Sequence, residues 1–306
     1  MTSETDPAQR TRIVCHRDWG TLRVTGPERL QWLQGLLTCD VKDLSPGRAA
    51  YGLVLTKTGK IISDVMVVVA QDEVFLSTAA GRADVVCEHL DRLLVMEDAE
   101  IGDVSAEWAW LAGLGSGAGR LLRLADRELG LSELPAGAGS PGFVGVVPRR
   151  GLAATAEQLV RLGGPGTQQS SEAEWNGIRI ALGLPRFGVD YDESHSPHQA
   201  GLERLAVCWS KGCYVGQEVV YKQDTRGKTR SRLFVIRLDG DEVPGVGTEI
   251  LAGDERTVVG EITSAAIEPE SGRVFAFARV KTAAVEAGQP LTAGGKPVVL
   301  SQPTAR

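Results

Sequence analysis

The residues of this chain best placed to do chemistry lie in one run, Lys211-Gly212-Cys213-Tyr214-Val215-Gly216-Gln217-Glu218. Two glycines bracket a cysteine and an aromatic side chain. Glycine admits positive φ and close backbone approach, so the run reads as a tight loop. A thiol acts as nucleophile or metal ligand only as the thiolate, and a lysine two residues away favours that form. Val219, Val220 and Tyr221 then read as the start of a short helix with Gln217 and Glu218 in its first turn. A helix N-terminus near Cys213 would favour the thiolate further. The same pattern suits a glycine turn around a buried structural cysteine, and residue types alone leave both readings open.

Other stretches carry weaker signals. Asp64 follows Ile61-Ile62 near the end of an apolar strand. Turned inward, its carboxylate accepts an N–H or moves a proton; turned outward, it is a solvated strand residue. Lys222, Arg226, Lys228, Arg230, Arg232 and Arg237 are offset within residues 222–237 only by Asp224. Such a patch suits an anionic ligand, an acidic partner or RNA, or is a solvated loop; it lacks the interleaved aromatics that stack on RNA bases. Residues 190–198 collect Asp190, Asp192, Glu193, His195 and His198, but Pro197 and the surrounding turn formers point to a surface loop rather than a metal centre. Gly113, Gly115, Gly117 and Gly119 follow an apolar strand, yet their spacing is not that of a dinucleotide loop. Cys208 stands five residues before Cys213, too few thiols to hold a cluster that normally takes four. Cys15, Cys39 and Cys87 sit in apolar contexts and read as buried.

These residues need elements to position them. Residues 16–24 read as one extended stretch ending at Gly26-Pro27, and residues 28–37 as a helix. Residues 51–55 and 61–69 read as a hairpin around Thr58-Gly59, with a further strand at 74–78 and a helix at 82–94. Helices are expected at 120–129, 155–162 and 171–182, the last capped by Ser170 or Ser171. From about residue 230 short strands follow at 232–238, 248–251, 257–263, 273–280 and 297–300, separated by turn signals, which indicates a compact all-β module.

Composition bounds the rest. The 306 residues are 42% apolar and carry a net charge of −6, enough for two or three domains and too acidic for a general nucleic-acid binder. Five cysteines without a C-x-x-C pair argue against a disulfide scaffold or a zinc ribbon. Residues 1–10 are polar, read as a disordered tail and lack the apolar core of a signal peptide. The longest strongly apolar stretch, 65–70, is far short of a membrane span. The expectation is a cytoplasmic protein with reduced thiols that binds neither DNA nor membrane.

The run K-G-C-Y-x-G-Q-E, followed after three residues by Lys222, resembles the signature of the YgfZ-type proteins. These are folate-binding proteins linked to iron–sulfur cluster assembly or repair, and relatives of the glycine cleavage T-protein, the aminomethyltransferase. Trp32-Leu33-Gln34 through Thr38-Cys39-Asp40-Val41 is similar to the superfamily's F-L-Q…T-x-D-V segment. Pro46-Gly47-Arg48, Tyr51, Gly59 and Asp64-Val65 follow in order, and Ile178-Arg179-Ile180-Ala181-Leu182-Gly183-Leu184-Pro185 with Gly188 and Asp190 resembles R-L-E-A-G-L…G-x-D.

The resemblance implies an α+β fold, a three-lobed T-protein-like ring with ferredoxin-like α/β lobes and a C-terminal all-β barrel-like domain. It implies a folate-binding region at 11–228, a barrel at 229–306, tetrahydrofolate as cofactor, and iron–sulfur enzymes or assembly proteins as partners, including enzymes that modify tRNA. Cys213 and Asp64 would be the reacting groups. Tyr51, Lys211, Gly212, Tyr214 and Gly216, with Gln217, Glu218, Lys222 and Arg226, would join Asp64 around the folate. The alternative is a folate-dependent aminomethyltransferase or demethylase working through Asp64; a third reading is an interaction protein that kept only the fold. Three departures from T-protein matter. Ser63-Asp64 stands where T-protein has paired acids, Ala181 stands where it has the pterin-anchoring glutamate, and Cys213 stands where it usually has aspartate.

Overall fold

A computed structural model describes residues 10–125, 129–134, 142–227, 229–253 and 257–301; the expected tail falls largely outside these residues. The chain divides into two compact units. The first gathers the described residues up to Lys57 with Ile62–Ser170 and Leu205–Val215; the second gathers Thr58–Ile61, Ser171–Arg204 and the described residues from Gly216 on.

The first unit holds two sheets. β1 (Thr11–His16) and β2 (Gly20–Thr25) replace the single extended stretch expected at 16–24, and they enter different sheets. Residues 17–19 bend the chain, and the His16 and Trp19 rings stack 3.8 Å apart at 7° across that bend. After α1 (Arg29–Gln34) come β3 (Ala49–Leu55), β4 (Ile61–Val69) and β5 (Val74–Thr78), then α2 (Ala83–Asp91) and β6 (Glu100–Asp103). They form a five-stranded sheet in the order β3-β4-β5-β2-β6. Leu33 of α1 and Val86 and Leu90 of α2 pack with Leu22, Val65 and Leu76 of the strands.

The second sheet uses β7 (Trp108–Leu114), β8 (Leu131–Glu133), β9 (Gly142–Pro148) and β10 (Thr167–Gln169) in the order β10-β1-β7-β9-β8. α3 (Ala118–Leu124) and α4 (Leu152–Gly163) cover it through Leu121, Ala156 and Leu159. α3 stops short of the expected residue 129 because Ala125 turns to extended backbone at φ −67°, ψ 142°. The two sheets share a core in which Ala49, Val68 and Phe75 meet Trp110, Val144 and Val146.

The second unit starts from two well-capped helices. α5 (Glu172–Ala181) carries a capping box: Ser171 Oγ accepts from Glu174 N, and Glu174 Oε2 accepts from Ser171 N. α6 (Pro197–Ala200) repeats the device with Ser196 and Gln199. α7 (Gln217–Arg226) follows. The barrel uses β11 (Ser231–Leu238), β12 (Glu249–Ala252), β13 (Thr257–Ile267), β14 (Val274–Lys281), β15 (Leu291–Ala293) and β16 (Lys296–Ser301). It closes in the order β11-β14-β13-β12-β15-β16, with α8 (Thr282–Glu286) after β14. Ile236, Ile250, Ile262 and Val280 lie in its core, while Ile180 of α5 packs outside it with Leu233, Val235 and Phe277. The fold class is α+β. Among the described residues no helix is long and apolar enough to cross a membrane.

Candidate functional site

The 205–215 segment of the first unit is fastened to the turn after α1. Lys211 is only 8% exposed, and its ammonium donates to Gln34 O at 2.8 Å, Leu37 O at 2.7 Å and Cys39 O at 2.7 Å. Gln34 ends α1, so its carbonyl is one of those a helix C-terminus leaves without an intrahelical donor. An ammonium has three N–H groups and no acceptor, and here all three are engaged. The Tyr214 ring, 7% exposed, lies 5.6 Å from the ammonium, in cation–π range. Backbone bonds add to the fastening: Val215 N to Gly35 O at 3.1 Å and Cys208 N to Thr38 O at 2.9 Å. Thr38 Oγ1 donates to Ala206 O at 2.5 Å and accepts from Leu53 N at 2.8 Å, which ties the same segment to β3.

Between these buried anchors Trp209, Ser210, Gly212 and Cys213 are exposed. Cys213 is therefore a presented thiol, not the buried structural cysteine that the pattern also allowed. The expected partnership with Lys211 takes another form, since that ammonium is engaged by carbonyls and donates nothing to the thiol. Burial lowers its affinity for a proton, with the neighbouring Cys39, Asp40 and Cys208 working the other way. Cys39 is buried beneath the clamp, and burial pushes its thiol up to about 12. A Cβ on Gly52 would come within 2.5 Å of Cys39 Sγ, so the β3 position beside Tyr51 has to be glycine.

Tyr51 and Asp64, expected together from the resemblance, are hydrogen-bonded: Tyr51 Oη donates to Asp64 Oδ2 at 3.0 Å, and both side chains are half-buried. Strand alternation sends Ser63 to the other face of β4. There it is buried and donates to Asp64 O at 2.8 Å while accepting from Ala79 N at 3.0 Å. An acid at 63 would share neither face nor surroundings with Asp64.

In the second unit Gly216 caps α7 at φ +83°, which explains a glycine there; Gly212 shows neither positive φ nor a close neighbour. Gln217 is half-buried in the first turn. Glu218 holds Lys222 at 2.6 Å as an exposed i,i+4 pair, and Arg232 is paired with Glu203, so two cations of the basic stretch have carboxylate partners. The Arg226 side chain and Lys228 lie outside the described residues. In the 190–198 loop both histidines have carboxylate neighbours. His195 Nδ1 lies 2.7 Å from Asp192 Oδ1, and His198 Nε2 lies 3.2 Å from Asp224 Oδ1. Among the described residues no three acidic, histidine or cysteine side chains converge to hold a metal ion.

Asp190 itself is buried. Its Oδ2 accepts from Arg179 Nη1 at 2.7 Å and Arg186 N at 2.9 Å; its Oδ1 accepts from Thr263 Oγ1 at 2.7 Å and Ser264 Oγ at 2.6 Å. A register shift between Ile262 and Ser264 lets two consecutive hydroxyls reach one carboxylate. The R…G-x-D spacing contained both ionic residues without showing that they meet. Ala181 is half-buried at the end of α5 and offers no side-chain acceptor.

Residues 13–150 match the GCVT N-terminal domain. The aminomethyltransferase of Streptomyces coelicolor is 30% identical over 288 residues, covering 86% of this chain and 76% of that protein. The aminomethyltransferase of Corynebacterium jeikeium is 27% identical over 308 residues, covering 88% and 78% respectively. The chain belongs to the aminomethyltransferase family. The crystal structure of glycine cleavage system aminomethyltransferase T from Bartonella henselae superposes with a TM-score of 0.78 at 20% identity, covering 97% of this chain and 87% of that one, a likeness of fold.

Proposed function

We propose that this chain is a tetrahydrofolate-binding protein of the YgfZ type that supports assembly or repair of iron–sulfur enzymes, tRNA-modifying ones included, through the thiol of Cys213. The observation that carries this reading is the exposed Cys213 held between the buried Lys211 and Tyr214. The K-G-C-Y-x-G-Q-E run adds weight, because it departs from the T-protein pattern; the lack of a carboxylate at Ala181 argues against full aminomethyl transfer and also weakens a T-protein-like mode of folate binding.

Aminomethyltransferases of this family use tetrahydrofolate. The residues of the first unit suit that group at one point: Asp64, oriented by the Tyr51 hydroxyl, is an acceptor-only carboxylate that matches the N–H groups of a reduced pterin. Position 181 supplies no second carboxylate, so Asp64 and Tyr51 carry the polar recognition in this reading. Bound tetrahydrofolate supplies one-carbon chemistry; the chain's part is to accept its N–H groups at Asp64.

A deletion strain complemented with wild type or Cys213→Ala, assayed for iron–sulfur enzyme activity, tests the proposal. Cys213→Ala is expected to fail, and full complementation would overturn it. Tetrahydrofolate is expected to raise the melting temperature by mass action, and no shift at millimolar ligand would remove the folate half. The Tyr51–Asp64 hydrogen bond also favours a second reading, folate-dependent aminomethyl transfer or demethylation through Asp64. That reading predicts turnover abolished by Asp64→Asn and retained in Cys213→Ala.

A further inference from the structure

We propose that Lys211 and the carbonyls of Gln34, Leu37 and Cys39 form a positioning clamp that fixes where Cys213 is presented, so that the thiol's function requires an ammonium that touches no ligand. This rests on the reading above, in which Cys213 is the working thiol.

The clamp follows from counting anchors. Upstream of Cys213 the segment is held at Ala206 by Thr38, at Cys208 by Thr38 O, and at Lys211 by three carbonyls. Downstream it is held by the buried Tyr214 ring and by Val215 N on Gly35 O. With Lys211 in place, only Gly212 and Cys213 lie between anchors. Without it, the run between anchors lengthens to include residues 210–213 and contains a glycine, the residue with the widest backbone freedom. A reacting group displaced by about 1 Å can lose roughly a hundredfold in rate, so holding it in place is itself a contribution to function.

The chemistry of the anchor specifies lysine. Three acceptors at 2.7–2.8 Å around one nitrogen match the three hydrogens of an ammonium. A planar guanidinium presents its donors in a fork and does not reproduce that arrangement. Because all three hydrogens are on carbonyls, Lys211 neither deprotonates nor hydrogen-bonds the thiol.

The test uses the full chain with Lys211→Met, Lys211→Arg and Cys213→Ala. Folding is followed by circular dichroism, loop mobility by amide hydrogen exchange over residues 208–215, and the thiol by the pH–rate profile of iodoacetamide alkylation resolved at Cys213. Function is complementation of the deletion strain. Lys211→Met is expected to fold, to exchange about tenfold faster across residues 210–213, and to complement poorly, while the midpoint of the alkylation profile stays where it is in wild type. Lys211→Arg is expected to behave like Lys211→Met although it keeps the charge, and it decides the matter if Lys211→Met does not fold. Wild-type complementation by a folded Lys211 variant, with Cys213→Ala inactive, overturns the clamp and leaves the thiol reading standing. An alkylation midpoint about one pH unit higher in Lys211→Met, restored in Lys211→Arg, also overturns it, because the lysine then acts through its charge. Full complementation by Cys213→Ala overturns the thiol reading and the clamp with it.

Discussion

Among the described residues each unit buries one lysine or arginine, and the two are satisfied in opposite ways. Arg179 of the second unit meets the carboxylate of Asp190, itself bonded to two hydroxyls and a backbone N–H. Lys211 of the first meets three neutral carbonyls and an aromatic face. The first arrangement cancels its own charge and joins α5, the 183–190 turn and β13 inside the second unit. The second leaves its charge uncancelled and fastens a segment whose neighbouring residues are exposed. An ion pair in a core is a lock; an ammonium on backbone carbonyls is a handle for a loop. The Asp190 network therefore concerns stability, and the Lys211 clamp concerns where one thiol is presented.

The sharpest way to break this comparison is to remove one partner from each. Asp190→Ala strands the Arg179 guanidinium in the core and is expected to cost about 3–5 kcal/mol in urea unfolding, while the Arg179→Met/Asp190→Leu pair recovers most of that loss. Lys211→Met strands no charge, only carbonyls, and is expected to cost less, about 2–3 kcal/mol. A cost equal to that of Asp190→Ala would erase the distinction. Alkali separates the two further. Burial raises Cys39 and Tyr214, each to about 12, so the folded chain keeps these protons after the unfolded chain has released them. Stability then falls as pH rises from about 9 towards 12, and melting curves across that window should show it, with a shallower fall in Cys39→Ala. The smallest effect is expected at the exposed Glu218–Lys222 pair, where Glu218→Gln should leave the melting temperature unchanged within error.

Much of the architecture was legible because it rests on local chemistry. The Ser171 cap, the strand run after residue 230 and the helix opening at Gln217 each have a signal in neighbouring residues. β15 and α8 escaped because three strand residues and five helical ones are too few to show a period. β4 is buried along nearly its whole length, so it lacks the alternation that tells one strand face from the other. The site was half legible. Tyr51 and Asp64 were expected together and are in contact, and the cysteine run stood out. The partners of Lys211 did not, because they are backbone carbonyls, which every residue carries and no sequence marks. The basic stretch was legible only as a sum, since a net charge is blind to the pairing of Lys222 with Glu218 and Arg232 with Glu203.

The clamp also sets a timetable. Lys211 stands 172 residues beyond Cys39, whose carbonyl it holds. On a ribosome moving at about 5–20 residues per second, that separation is roughly 10–35 s of synthesis. For that interval the turn after α1 has emerged without its ammonium, and Cys39 has no 205–215 segment fastened over it. Newborn chains therefore pass through a period in which the most deeply buried thiol of the mature protein is less protected, and the final closure of the first unit waits for a segment that follows most of its strands.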